Sequence, residues 1–242
     1  MAMKPLEKKE IVEVDLVDSV IEFYCNKQTQ FLLEQFLTQV KTFFELNPAL
    51  HTPPFPIVHS IKSRLKDTEH LRDKLKRKTE KGIIVTEDSL LCEVTDLAGV
   101  RVLHLYQDQF EIIHSEMMRK VDDGDWVLGE DPKAYTWDPE TQSFFSRLGI
   151  STEVRDTYYT SVHYLVKPNN KSDICCEIQV RTLFEEIWGE IDHAINYPHK
   201  SESIACAEQL RVLSKLVSTG TRLSDSIFRS YKEYVEKTNK DL

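Results

Sequence analysis

The sequence predicts an α+β fold: a mixed β-sheet flanked by helices, with helical extensions at both ends. Three observations predict it. Helical periodicity runs across residues 15–46 and again across 203–238. Between these arms, short apolar strands are interspersed with helical stretches, the order expected of a mixed sheet with helical cover. Two of the strands are joined by a short polar turn, which requires antiparallel pairing.

Taken in order, the first helix carries apolar residues at Leu16, Val20, Phe23, Phe31, Leu33, Phe36, Leu37, Val40 and Phe44 and ends at Asn47-Pro48. A Pro-rich link (Pro53, Pro54, Pro56) leads into IVHSIKSRLK, which alternates in period two. Ile61, Ser63 and Leu65 share one face and Lys62, Arg64 and Lys66 the other, so the strand is half-buried with a cationic face. Asp67 is placed to N-cap a helix over 68–80. GVRVLHLY (99–106) reads as a compact apolar strand and 108–120 as a helix. Residues 122–150, rich in acids and aromatics, are expected to hold a strand and a long loop. SVHYLV (161–166) and ICCEIQV (174–180) form the antiparallel pair, followed by a helix over 181–196 that stops near Pro198.

The bulk numbers bound the class. The chain has 242 residues, 40% hydrophobic and 29% charged, ordinary values for a globular protein. No apolar stretch approaches the roughly 18 residues of a membrane span, and the charged N-terminus offers no apolar core for a secretory signal. The five cysteines are scattered without a CxxC pair, so neither a zinc site nor a disulfide framework is expected; adjacent Cys175 and Cys176 read as small core residues. Together these readings point to the cytoplasm. The net charge of −9 argues against broad coating of nucleic acid. Yet nine basic and only four acidic residues lie between Lys62 and Lys81. A basic island in an acidic protein suits a compact anionic ligand.

Three runs carry candidate chemistry. In Glu177-Ile178-Gln179-Val180-Arg181-Thr182, the side chains of Glu177, Gln179 and Arg181 share one strand face. Such a row meets either a ligand, a metal or its own ion-pair partners. Asp96 stands at the entrance of strand 99–106, as a cap or turn residue or, paired in space with Glu177, as half of a two-carboxylate Mg²⁺ site. Tyr159, Ser161 and His163 would share a strand face, as an ordinary half-exposed surface or as a stacking platform with hydrogen-bonding groups beside it.

Together these runs resemble the RelA/SpoT-type (p)ppGpp synthetase domain, in particular the small alarmone synthetases. The resemblance rests on Ser63-Arg64-Leu65-Lys66 with Lys74 and Arg77, on Asp96-Leu97-Ala98-Gly99-Val100-Arg101-Val102, on Tyr159-Thr160-Ser161-Val162-His163, and on Glu177 to Thr182. It implies a nucleotidyltransferase-like sheet over residues 57–200, between an N-terminal helical region (1–56) and a C-terminal helical extension (201–242). It further implies an ATP-dependent pyrophosphokinase. Arg64, Lys66, Lys74, Arg77 and Arg101 would bind ATP. Asp96 and Glu177 would be catalytic and hold Mg²⁺. Arg155, Tyr159, His163 and Gln179 would bind the acceptor guanine nucleotide. Glu186 stands where small synthetases often carry Asn against the base; a carboxylate there would accept from guanine N1–H and N2–H₂. Asp192-His193 looks like part of a hydrolase metal site but lacks companion ligands, so His193 reads as structural and the protein as a synthetase without hydrolase activity. The expected partners are ATP and a guanine nucleotide, with homo-oligomerisation through the terminal helices and no membrane. The competing readings are a toxin-type relative acting on the 3′-terminal adenosine of tRNA and a nucleotide-binding regulator without catalysis.

Overall fold

A computed structural model describes residues 16–240 except Pro54, Asp156, Pro198 and His199. The charged N-terminal segment, the first residue of the expected leading helix and Pro198 therefore lie outside the described residues. The arm expected as one helix over 15–46 is two. Residues 16–25 form α1, and Asn26 N-caps α2 (Lys27–Leu46) by accepting from Thr29 N. A side chain that bonds its own backbone this way starts a new helix rather than extending the old one.

The rest of the described chain follows as β1 (Ser60–Leu65), α3 (Thr68–Glu80), α4 (Leu90–Glu93), β2 (Ala98–His104), α5 (Phe110–Asp122), β3 (Val127–Tyr135), α6 (Pro139–Arg147), β4 (Ser151–Glu153), β5 (Ser161–Lys167), β6 (Cys176–Thr182), α7 (Leu183–Asn196) and α8 (Ile204–Lys240). Asp67 caps α3, accepting from Glu69 N and His70 N, as its sequence position predicts. Of the strand and long loop expected within 122–150, the strand is β3, and helix α6 takes much of the place of the loop. Asp138 accepts from Glu140 N and Pro139 takes the first helical turn, so α6 begins on a strong start signal.

The six strands run in the order β1-β2-β6-β5-β3-β4. The β2/β6 and β3/β4 pairs are parallel and the other three antiparallel, so the sheet is mixed. Its two faces differ in chemistry. Val100 and Val102 of β2, Ile178 and Val180 of β6, Val162 and Tyr164 of β5 and Ala134 of β3 belong to the buried core, joined there by Leu33, Phe36, Val40 and Phe44 of α2 and by Phe110, Ile113 and Met117 of α5. Each fully buried side chain of this kind contributes roughly 1.5–3 kcal/mol of transfer free energy. Cys176 is part of that core and Cys175 is buried beside it.

The register sets the opposite face. Lys62 of β1 pairs with Arg101 of β2, which pairs with Gln179 of β6, which pairs with His163 of β5, which pairs with Lys133 of β3. Partners in register point the same way, so one row of polar side chains crosses five strands. Helix α7 lies over one end of that row, and α8 packs on α7. There Trp188 Nε1 donates to Leu210 O at 2.9 Å. A Cβ at Gly220 would stand 2.8 Å from the Phe184 ring, so the helices approach this closely only with glycine at that position. Among the described residues no helix is long and apolar enough to cross a membrane.

Candidate active site

The polar face divides into three linked clusters. The first surrounds Asp96, just before β2. Lys66 Nζ and Lys74 Nζ each lie 2.8 Å from one of its carboxylate oxygens, reaching it from the end of β1 and the middle of α3. Burial alone would raise the Asp96 carboxyl, but the ammonium groups of Lys74 and Lys66 outweigh it and hold the pKa below the usual value. Arg64 pairs with Gly99 in register and is exposed on the same face. Arg77 projects from the last turn of α3, exposed, its Nε donating to Asp73 O.

The second cluster centres on Glu177. Its Oε1 lies 3.1 Å from His163 Nδ1, and its Oε2 accepts from Gln179 Nε2 at 2.8 Å. The other ring nitrogen of His163, Nε2, lies 2.9 Å from the Tyr159 hydroxyl. Burial opposes ionisation of Glu177, yet the His163 contact and the Gln179 amide lower its pKa despite repulsion from Asp96. Gly99, three residues after Asp96, pairs with Glu177 in the parallel register of β2 and β6. Tyr159 itself precedes β5 rather than belonging to it. The shared strand face expected of Tyr159, Ser161 and His163 therefore holds only for Ser161 and His163, and Ser161 is buried with its hydroxyl on Val180 O. Tyr159 joins the site through its hydroxyl instead. Arg155 sits further out, its guanidinium 3.8 Å above the Tyr135 ring, and Tyr135 meets His163 edge-on at 4.9 Å.

The third cluster converges on Glu186, in the first turn of α7. Its Oε1 accepts from Lys62 Nζ at 2.7 Å and Arg101 Nη1 at 2.9 Å, and its Oε2 lies 2.5 Å from Arg181 Nη2. Arg101 also reaches Glu190 at 2.7 Å. Although burial works against ionisation, Lys62, Arg181 and Arg101 hold the Glu186 carboxyl down to about 2. In this structure Glu186 anchors cations from β1, β2 and β6.

With this geometry in view, comparison with known proteins is decisive at the level of family. A profile described as a region found in RelA / SpoT proteins matches residues 63–202. The chain belongs to the RelA/SpoT family. Its fold is shared with small alarmone synthetase 1 from Bacillus subtilis, at 18% identity and a TM-score of 0.62 over 84% of this chain and 94% of that one. The same enzyme bound to its product pppGpp aligns at 18% identity and 0.60, over 83% and 93%. A GTP pyrophosphokinase family protein from Streptococcus pneumoniae aligns at 18% identity and 0.61, over 96% and 97%. No curated protein sequence matches the chain.

Within this RelA/SpoT domain Asp96 and Glu177 are oxygen donors of the kind a hard divalent cation takes. Asp96 and Glu177 both have lowered pKa values, so both are anionic at neutral pH. Among the described residues no group of three or more His, Cys, Asp or Glu is placed to hold a metal. Asp96 and Glu177 are the residues that could hold such a cation, whose shell water and phosphate oxygens would complete. Of the residues of the face, Glu190 carried no sequence signal, Arg181 was legible only as part of the polar row of its strand, and Lys62 only as part of a basic strand. Their partners lie as far as 124 residues away in the chain, as Lys62 does from Glu186, and no local pattern reports such a pairing.

The N-terminus of α7 also yields a pH prediction. Glu185 completes a capping box with Thr182, accepting from Thr182 N at 2.7 Å. Burial pushes its carboxyl up to about 7, against the Thr182 hydrogen bonds and with a further push from Asp225. The folded state therefore retains a proton that the unfolded chain releases near pH 4.5, and stability falls as pH rises from there through about 7. Glu185→Gln keeps the acceptor oxygen and removes the titration. Denaturation of both proteins between pH 5 and 8 is expected to show a gap opening toward high pH in favour of Gln, on the order of 1–2 kcal/mol.

Proposed function

We propose that this chain transfers the β,γ-diphosphate of ATP to the ribose 3′-hydroxyl of GDP or GTP. The observation that carries the reading is the single polar face on which Asp96 with Lys66 and Lys74, Glu177, and the Tyr159–His163 pair stand side by side. Its order suits a donor's phosphates at one end and an acceptor nucleoside at the other. Membership of the RelA/SpoT family and the likeness to a synthetase captured with pppGpp support the same assignment.

In this reading Lys66, Lys74, Arg64, Arg77 and Arg101 bind ATP. Tyr159 stacks on the acceptor base, with His163, Gln179 and Arg155 arranged around the nucleotide. The acceptor 3′-oxygen bonds to the β-phosphorus of ATP, the bond from that phosphorus to the α-phosphate oxygen breaks, and AMP leaves. Glu177, anionic at neutral pH, takes the hydroxyl proton. Mg²⁺ held by Asp96 and Glu177 would supply neutralisation of the phosphate oxygens. Such transfers depend mainly on alignment and charge neutralisation, so no nucleophilic side chain is required.

The test is incubation with labelled ATP and Mg²⁺ and, separately, GDP, GTP, ATP or tRNA. Label is expected on GDP or GTP. Label on tRNA ending in CCA, with GDP and GTP ignored, would replace the acceptor assignment by the tRNA one; ATP binding without any product would make the protein a nucleotide-binding regulator. Tyr159→Ala is expected to weaken the acceptor by about 1–3 kcal/mol through lost stacking and to leave ATP binding unchanged, as titration of each nucleotide will show.

A further inference from the structure

Arg181 is the residue of the polar face that the proposed chemistry leaves without a task. Its side chain is 3% exposed, so it meets no solvent. Nη2 is paired with Glu186. The guanidinium carbon lies 5.7 Å from the centre of the Tyr159 ring, within cation–π range. Nε is the one buried side-chain polar atom among the described residues with no hydrogen-bond partner. An unpartnered buried donor is costly, so the guanidinium is held here at a cost that its ion pair and the neighbouring ring must offset. Helix α7 closes the arrangement. A Cβ at Gly189 would lie 2.6 Å from Nη1, so the guanidinium is seated against helix backbone in a space that only glycine leaves open.

Tyr159 is thereby held twice: at its edge by His163, which bonds the hydroxyl, and at one face by Arg181. The ring remains partly exposed. We propose that Arg181 is a positioning residue for the acceptor, fixing the Tyr159 ring from the protein side so that its free face is presented to the acceptor's base. This role rests on the acceptor site proposed above. Arg181 does not touch the nucleotide; it acts through the ring, and its ion pair with Glu186 ties the platform to Arg101 and Lys62. Lysine cannot replace it, because the flat guanidinium is what matches the ring.

The test is initial-rate kinetics with GDP varied at saturating ATP and Mg²⁺, then the reverse, for wild type, Arg181→Lys, Gly189→Ala, Tyr159→Ala and the Arg181→Lys/Tyr159→Ala pair. Arg181→Lys is expected to raise the KM for GDP about tenfold while the KM for ATP stays within about twofold. Gly189→Ala, which presses a methyl group on Nη1, is expected to raise the KM for GDP in the same direction. Measured well below the Tm of each variant, a KM raised for GDP but not for ATP is a signature that a merely structural role would not give. In the Tyr159→Ala background, Arg181→Lys is expected to add nothing further, because residues acting through one contact are not additive. Additive effects, or equal increases for ATP and GDP, would overturn the role of Arg181 alone. Direct titration showing that the wild type binds neither GDP nor GTP would overturn the acceptor site and this role with it.

Discussion

Asp96→Asn is expected to abolish transfer and, at the same time, to tighten binding of a non-hydrolysable ATP analogue in the absence of metal. The two effects have one cause. Lys66 and Lys74 are committed to the Asp96 carboxylate, each at 2.8 Å. A nucleotide arriving without a cation must take both lysines from that carboxylate and then sit beside an uncompensated negative charge. Removing the charge releases the lysines and the repulsion together. Calorimetric titration in EDTA is expected to show the variant binding about tenfold more tightly than the wild type, a difference of roughly 1.4 kcal/mol. With Mg²⁺ present the order reverses, and transfer falls by about 10³-fold or more, the scale of losing one preorganised charge at the reacting centre. Metal-free affinity that is unchanged or weaker in Asp96→Asn would show that the two lysines do not meet the donor phosphates.

The second large effect concerns stability. Glu186→Ala is expected to cost about 3–5 kcal/mol, because it leaves the guanidinium of Arg181 buried without a counter-charge. Lys62→Ala removes a partner of the same carboxylate, but Lys62 is 57% exposed and its loss is expected to cost no more than about 1 kcal/mol. Urea denaturation of the two variants separates them. Equal costs would mean that the cluster is held by its exposed rim rather than by the buried pair. Glu186 also ties α7 to β1, β2 and β6, so the Ala variant is expected to lose affinity for both nucleotides rather than guanine preference alone.

Much of this was legible in the chain. The alternation Ile61-Lys62-Ser63-Arg64-Leu65 marked a strand with one basic face, and Asp67 marked the helix start behind it, because both signals are local. The α+β class followed from the same periodicities. Residues 122–150 were less legible. In β3, Gly129, Asp131 and Pro132 interrupt the alternation, and its register against β5 shifts between Leu128 and Glu130 and again between Glu130 and Lys133. Period two is not visible in a strand that slips twice. Helix α6 is only nine residues long, too short for periodicity to show, although Asp138-Pro139 was a start signal that could have found it. The break at Asn26 lies in the polar run Asn26–Gln30, a local signal that the apolar positions on either side of it outweighed.

At the site, sequence supplied the residue types but not their partners. Asp96 and Glu177 were read as a carboxylate pair from two separate motifs, and the parallel register of Gly99 with Glu177 brings the strands of those motifs side by side. The ion pairs of Glu186 were not legible, because its partners Lys62, Arg101 and Arg181 come from three different strands. A carboxylate near a nucleotide site reads as free until the cations around it are counted. Tyr159 was assigned to the platform by its spacing from His163, whereas it reaches His163 through its hydroxyl from outside the strand.

The central claim is that a diphosphate moves as a unit from ATP to a guanine nucleotide, and the most direct test is identification of the products by mass spectrometry and ³¹P NMR. The account predicts AMP and a guanine nucleotide carrying a 3′-diphosphate in equal amounts, both absent for Glu177→Gln. ADP as the donor product, or AMP with free pyrophosphate and an unchanged guanine nucleotide, would contradict it.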